Sequence, residues 1–125
     1  KIFDSEILMR NKIAKIFNNN LNLNFTKPFI PDNYMSPWSQ YSITLKDEKQ
    51  RNKTVEYLTD NGIPSMIYYK IPLHLQKVFK YLNYKEGNMP ESEAIANKII
   101  SLPMHPYLKK DDQALIIDKL NSIKY

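Results

Sequence analysis

Five groups able to meet a ligand fall within one short stretch, Tyr68-Tyr69-Lys70-Ile71-Pro72-Leu73-His74-Leu75-Gln76. Phenol, imidazole and carboxamide groups each offer both a donor and an acceptor, and the ammonium adds donors alone. The pattern sets two tyrosines at the end of a predicted strand. A proline turn follows, and then a histidine and a glutamine where a helix opens. Polar groups presented beyond strand ends are a common place for ligands. The competing reading packs the tyrosines into the core and has His74 cap the next helix, and in a generic chain it is the commoner outcome. Other chemistries are excluded by what the chain lacks. Its only glycines are Gly62 and Gly87, too few and too far apart for a phosphate-binding loop. His74 and His105 have no histidine partner one helical turn away, so metal binding is unsupported. No Gly-x-Ser-x-Gly elbow occurs, and the absence of cysteine removes disulfides, thiolate metal sites and a thiol nucleophile. The Asp111-Asp112 pair is explained by attraction to a helix N-terminus.

Those groups need elements to hold them. Apolar residues Phe3, Ile7, Ala14 and Phe17 share one helical face from Ile2 to about Asn18, and Met9, Ile13 and Ile16 form a second. A helix apolar on two sides usually lies between two packed bodies. Pro28, Pro31 and Pro37 then enforce a loop. Alternation over Gln40–Leu45 predicts a half-buried strand. Asp47, with Gln50 three residues on, predicts a capping box for a helix that Gly62 ends. Ser65–Tyr69 reads as a second strand, Leu75–Leu82 as a short helix, and Pro90 as the first residue of another, with Ala94, Ile95, Ile99 and Ile100 facing inward. Ile100–Leu102 is a short edge strand before a last helix carrying Ile116, Leu120 and Ile123. The predicted class is α+β: a small antiparallel or mixed sheet of about three strands with helices packed on it.

The chain has 125 residues, 42% of them hydrophobic, which is enough for one core. Its 18 basic and 13 acidic side chains give a net charge of +5. A nucleic-acid binder would gather that charge on one face among aromatics. Here it is dispersed, and the nearest cluster, Lys46, Lys49, Arg51 and Lys53, is interrupted by Asp47 and Glu48 and reads as a solvated helix face. Neither nucleic acid nor a membrane is predicted as a partner, since no apolar run approaches the ~20 residues of a bilayer span. The chain opens at Lys1, already in a helical pattern, which points to a piece of a longer protein.

Five motifs, in order, carry a family resemblance. Arg10-Asn11-Lys12-Ile13-Ala14 resembles an R-x-x-I-A helix, and Trp38-Ser39-Gln40-Tyr41-Ser42-Ile43 a first small-domain strand. Gly62-Ile63-Pro64-Ser65 with Tyr68 to Gln76 resembles G-I-x-T followed by H-Y-P-x-P-L-H-x-Q. Met89-Pro90-Glu91-Ser92-Glu93 resembles L-P-x-x-E, and Ser101-Leu102-Pro103-Met104-His105-Pro106 resembles S-L-P-x-H-P. Together they are similar to the C-terminal small domain of DegT/DnrJ/StrS-type sugar-nucleotide aminotransferases. Tyr68 and Lys70 depart from that pattern, at positions where histidine and proline are usual.

The resemblance implies residues 1–24 as an interdomain helix and 25–125 as the small domain, with a pyridoxal phosphate (PLP)-binding large domain outside this chain. It implies a cytoplasmic homodimer that moves an amino group, usually from glutamate, to a keto group of a nucleotide-linked sugar in polysaccharide or glycan biosynthesis. The substrate side falls to Tyr68, Tyr69, His74 and Gln76, and with less weight to Gln40 and Tyr41. The Schiff-base lysine belongs to the large domain, so this chain by itself is expected to hold no PLP and to be inactive. Two other readings remain open: a stand-alone non-catalytic ligand- or partner-binding module, and a nucleic-acid-binding domain suggested by charge alone.

Overall fold

The computed structural model describes residues 2–125. Helix α1 (Ile2–Asn20) is followed by the proline-rich loop and strand β1 (Tyr41–Thr44). Helix α2 (Glu48–Asp60) and a segment of 3-10 turns (Leu73–Leu75 and Lys77–Leu82) come next. Helix α3 (Pro90–Lys98) runs directly into strand β2 (Ile99–Leu102), and α4 (Lys110–Ser122) closes the chain. The class is α+β, as the sequence predicts.

Of the predicted capping box the Asp47 half forms, and the Gly62 stop forms as predicted. Asp47 accepts a hydrogen bond from the Gln50 amide at 2.8 Å and starts α2. At the other end Gly62 adopts φ 71°, its N–H donates to Thr59 O, and the Ile63 N–H donates to Leu58 O, both at 2.9 Å. That paired bonding with a left-handed glycine is a Schellman stop, and buried Leu58 and Ile63 supply its apolar contact.

The sheet is narrower than expected. β1 and β2 pair antiparallel, from Tyr41 opposite Leu102 to Thr44 opposite Ile99. The predicted third strand, Ser65–Tyr69, contributes only an isolated bridge between Met66 and Ser101, with N–H···O distances of 3.1 and 2.7 Å. Pro64 has no N–H to lend to a ladder and the chain turns at Tyr68, so pairing stops after one residue. The predicted 75–82 helix is 3-10 instead, with Val78 and Leu82 exposed.

One core holds the elements together. Ile13, Ala14 and Phe17 of α1 pack with Tyr41, Ile43, Leu58, Ile100, Ile116 and Leu120. The inner stripe of α1 therefore draws on both predicted faces, while Phe3, Met9 and Ile16 are exposed. Asn11 fastens α1 to the proline-rich loop. Its amide donates to Ile7 O at 2.8 Å and Ser36 O at 3.1 Å, and its Oδ1 accepts from the Trp38 indole at 3.0 Å. Arg51 corrects the solvated-face reading, for it is fully buried. Among the described residues no helix is long and apolar enough to cross a membrane.

Candidate functional site

The 66–76 segment leaves the sheet at the Met66–Ser101 bridge and tightens into a turn, with Leu75 N–H donating to Pro72 O at 3.0 Å and Gln76 N–H to Leu73 O at 3.1 Å. Pro72 presets the backbone for that turn. Between this segment and α3 lies a cavity of about 350 Å3, walled on one side by Tyr68, Tyr69, Leu73 and His74. The opposite wall is α3, with Ser92, Ile95 and Ala96, flanked by Met89 just before it and Ile99 at the start of β2. Ile95, predicted to face the core, is exposed and turned to this cavity instead, and Ala96 takes the buried position.

Tyr68 and Tyr69 stand at the opening, 38% and 60% exposed, with their rings edge to face at 5.8 Å. His74 is the opposite case. Its ring is buried, and Nε2 lies 2.9 Å from Glu93 Oε1. An ionised carboxylate only accepts, so Nε2 carries the proton. The Tyr84 ring meets the imidazole edge-on at 6.3 Å.

Glu93 gathers more than the histidine. The Gly87 N–H reaches both carboxylate oxygens, at 3.0 and 2.8 Å, and the Met89 N–H reaches Oε1 at 3.2 Å. These bonds hold its carboxyl below the usual carboxylate range, the Gly87 amide first and the His74 contact second.

The four predicted substrate residues thus divide. Tyr68, Tyr69 and His74 share one cavity. Gln76 does not line it, and its amide donates to Ile71 O at 3.2 Å, bracing the turn. Gln40 is exposed on a neighbouring cavity of about 210 Å3 that also touches Ser65 and Tyr68. Tyr41 is in the core, its hydroxyl donating to Asn18 Oδ1 at 2.6 Å. Glu93, Met89, Ser92 and Ile95 were not picked out as site residues from sequence. The available signal was the L-P-x-x-E pattern, whose glutamate reads first as a helix-dipole residue. No group of residues able to hold a metal ion occurs among the described residues.

Against known proteins, the profile of the DegT/DnrJ/EryC1/StrS aminotransferase family matches residues 1–121. A curated relative from Geobacillus stearothermophilus, named a pleiotropic regulatory protein, is 45% identical over 81 residues, covering 65% of this chain and 21% of that protein. The UDP-2-acetamido-2-deoxy-3-oxo-D-glucuronate aminotransferase of Pseudomonas aeruginosa is 31% identical over 109 residues, covering 86% of this chain and 29% of the enzyme. Among solved structures, a DegT DnrJ EryC1 StrS aminotransferase from Brucella abortus superposes with a TM-score of 0.82 at 40% identity, covering 92% of this chain and 30% of that one. The chain therefore spans less than a third of the length of these three proteins.

Proposed function

Because the chain belongs to the DegT/DnrJ/EryC1/StrS aminotransferase family, we propose that it is the C-terminal portion of a PLP-dependent sugar-nucleotide aminotransferase, and that its 68–76 segment faces the nucleotide sugar. The observation that carries the reading is the pairing of two accessible tyrosines with a cavity whose far wall is apolar. Such a cavity suits the face of a sugar or base ring, while phenol hydroxyls at its rim bond to hydroxyls or phosphates. The name of the Pseudomonas relative, an aminotransferase for a UDP-linked keto sugar, supports a nucleotide-linked substrate.

PLP supplies the electron sink for such a reaction. The residues here do not fit that group: no lysine to bond its aldehyde and no carboxylate to pair its ring nitrogen lines the tyrosine cavity. Its seat is assigned to a large domain outside these residues, joined through residues 1–24, and residues 25–125 act as the small domain over the substrate. The family resemblance carries the remaining parts of the proposal: glutamate as donor, a cytoplasmic homodimer, and a place in polysaccharide or glycan biosynthesis.

The test is kinetic, on the longer protein that contains this chain, with glutamate and a UDP-linked 3-keto sugar. Tyr69→Phe removes one hydroxyl, and one hydrogen bond worth about 0.5–1.5 kcal/mol raises KM for the sugar nucleotide roughly 2- to 10-fold. KM for glutamate stays unchanged. An unmoved sugar-nucleotide KM in both Tyr68→Phe and Tyr69→Phe refutes the assignment of the tyrosines. Absence of both a PLP absorbance band and amino transfer would favour the non-catalytic module.

A further inference from the structure

We infer that Glu93 is a positioning residue for the Tyr68–Tyr69 pair, acting through the tautomer and placement of His74. The inference rests on the reading of those tyrosines as the substrate-facing pair.

The segment that carries the tyrosines is fixed at two points. Upstream it is tied to the sheet by the Met66–Ser101 bridge. Downstream the turn is tied to α3 by the contact between His74 and Glu93, at 2.9 Å, with side-chain exposures of only 5% and 17%. The intervening stretch has Tyr69, Lys70 and Ile71 exposed, so it gains little from burial. Its placement then depends on the two anchors, and the downstream anchor is a single side-chain contact.

Glu93 is itself built into its position. Gly87 and Met89 donate backbone N–H groups to its carboxylate, so the oxygen that meets His74 cannot swing away without unpairing those donors. A carboxylate held in this way dictates that His74 Nε2 is the donor. Tyr84 closes the imidazole from the side at 6.3 Å. The bonding explains more than helix capping does. A residue serving only the helix dipole would not need to reach back to a histidine 19 positions earlier in the chain.

The distinguishing variant is Glu93→Gln. Its carboxamide has one oxygen where the carboxylate has two, so the NH2 takes either the Oε1 or the Oε2 place and meets at least one of the N–H donors that converge there. With the oxygen left on His74, that bond still loses its charge-assisted strength and the Gly87 N–H loses one of its two acceptors, so the anchor weakens. The measurement is a long-range 1H–15N spectrum of the histidine rings of this chain, with 15N relaxation of its backbone amides. In the unaltered chain we expect His74 protonated at Nε2 and amide order parameters of about 0.85 from Tyr68 to His74. In E93Q the His74 Nε2 resonance shifts as its acceptor loses charge and those order parameters fall toward about 0.6, while amides of β1 and β2 hold their values. His74→Ala gives the same fall, and the double variant adds nothing to it, as expected for two residues acting in series.

Retention of the rigid 68–74 amides in both E93Q and H74A overturns the inference, as does a double variant whose loss is the sum of the two. Should E93Q fail to fold, shown by loss of the β1 and β2 signals, H74A alone decides by the same criterion. The substrate reading fails separately. If E93Q loosens the segment but Tyr68→Phe and Tyr69→Phe leave the sugar-nucleotide KM unmoved, Glu93 positions tyrosines that do not bind the substrate.

Discussion

Replacing Arg51 with methionine should stabilise the protein. Arg51 is fully buried in α2, with Nη2 on Glu48 Oε1 at 3.1 Å, while Nε and Nη1 have no hydrogen-bond partner among the described residues. Its guanidinium stays charged at any ordinary pH, so the desolvation cost cannot be escaped by losing a proton. Each orphaned buried donor costs about 1–3 kcal/mol. The one favourable contact is weak, because Glu48 is 52% exposed and an ion pair open to solvent is worth only about 0–1 kcal/mol. Methionine fills much of the same volume, flexes into irregular space and carries no donor. Exchanges of this kind are neutral or stabilising by about 1–4 kcal/mol. For a chain of this length that corresponds to a rise in Tm of roughly 4–15 °C. The assay is thermal unfolding followed by circular dichroism, with urea denaturation to check that m is unchanged. Arg51→Ala is the control, since it removes the same donors but leaves a cavity, and its gain should be smaller. A loss of more than about 1 kcal/mol in Arg51→Met would refute the reasoning and mean that the guanidinium nitrogens are paired in solution.

Two further outcomes follow from the core. Asn11→Leu should cost about 1–3 kcal/mol in urea unfolding, because the Trp38 indole N–H loses its acceptor in a buried position; a change below about 0.5 kcal/mol would mean that the loop is held by packing alone. Alkaline pH should destabilise the fold. Burial raises the Tyr41 phenol, burial against an opposing Thr54 bond raises Tyr125, and the Glu6 contact raises Tyr107, each from an ordinary value of 10.0. Because the unfolded chain gives up these protons first, the contribution is complete below about pH 10 and is lost as pH climbs beyond it. Urea midpoints that stay level from pH 9 to pH 12 would contradict this.

What the sequence shows is governed by how local the signal is. The ends of α2 were legible because Asp47 and Gly62 act on backbone groups within a few residues. The strand at 41–44 was legible from alternation, which is a local property of the pleat. The failures are tertiary. Arg51 looks like its basic neighbours in sequence, and only the packing of α2 on α3, α4 and β2 buries it. Ile95 and Ala96 exchange roles because the 66–76 segment, not the core, lies over that part of α3. The two faces of α1 merged for a similar reason. Ile13 sits beside Ala14 and Phe17 closely enough for one core to take all three, leaving Met9 and Ile16 outside it.

The site follows the same division, and this bears on how such a segment can vary. Tyr68 to Gln76 was visible because it concentrates polar side chains in one place, but nothing within it says which of them faces a ligand. Tyr69 and His74 would be equal candidates by type. The structure separates them by their partners, since a carboxylate from α3 occupies the histidine while neither tyrosine is held by one among the described residues. A substitution at Tyr68 or Lys70 changes an exposed side chain and leaves both anchors of the segment in place. A substitution at His74 or Glu93 removes an anchor and displaces every group between it and Met66. On the proposed reading, ligand preference can therefore drift at Tyr68, which departs from the family pattern and lines the cavity, while the frame that presents it is held by His74 and Glu93.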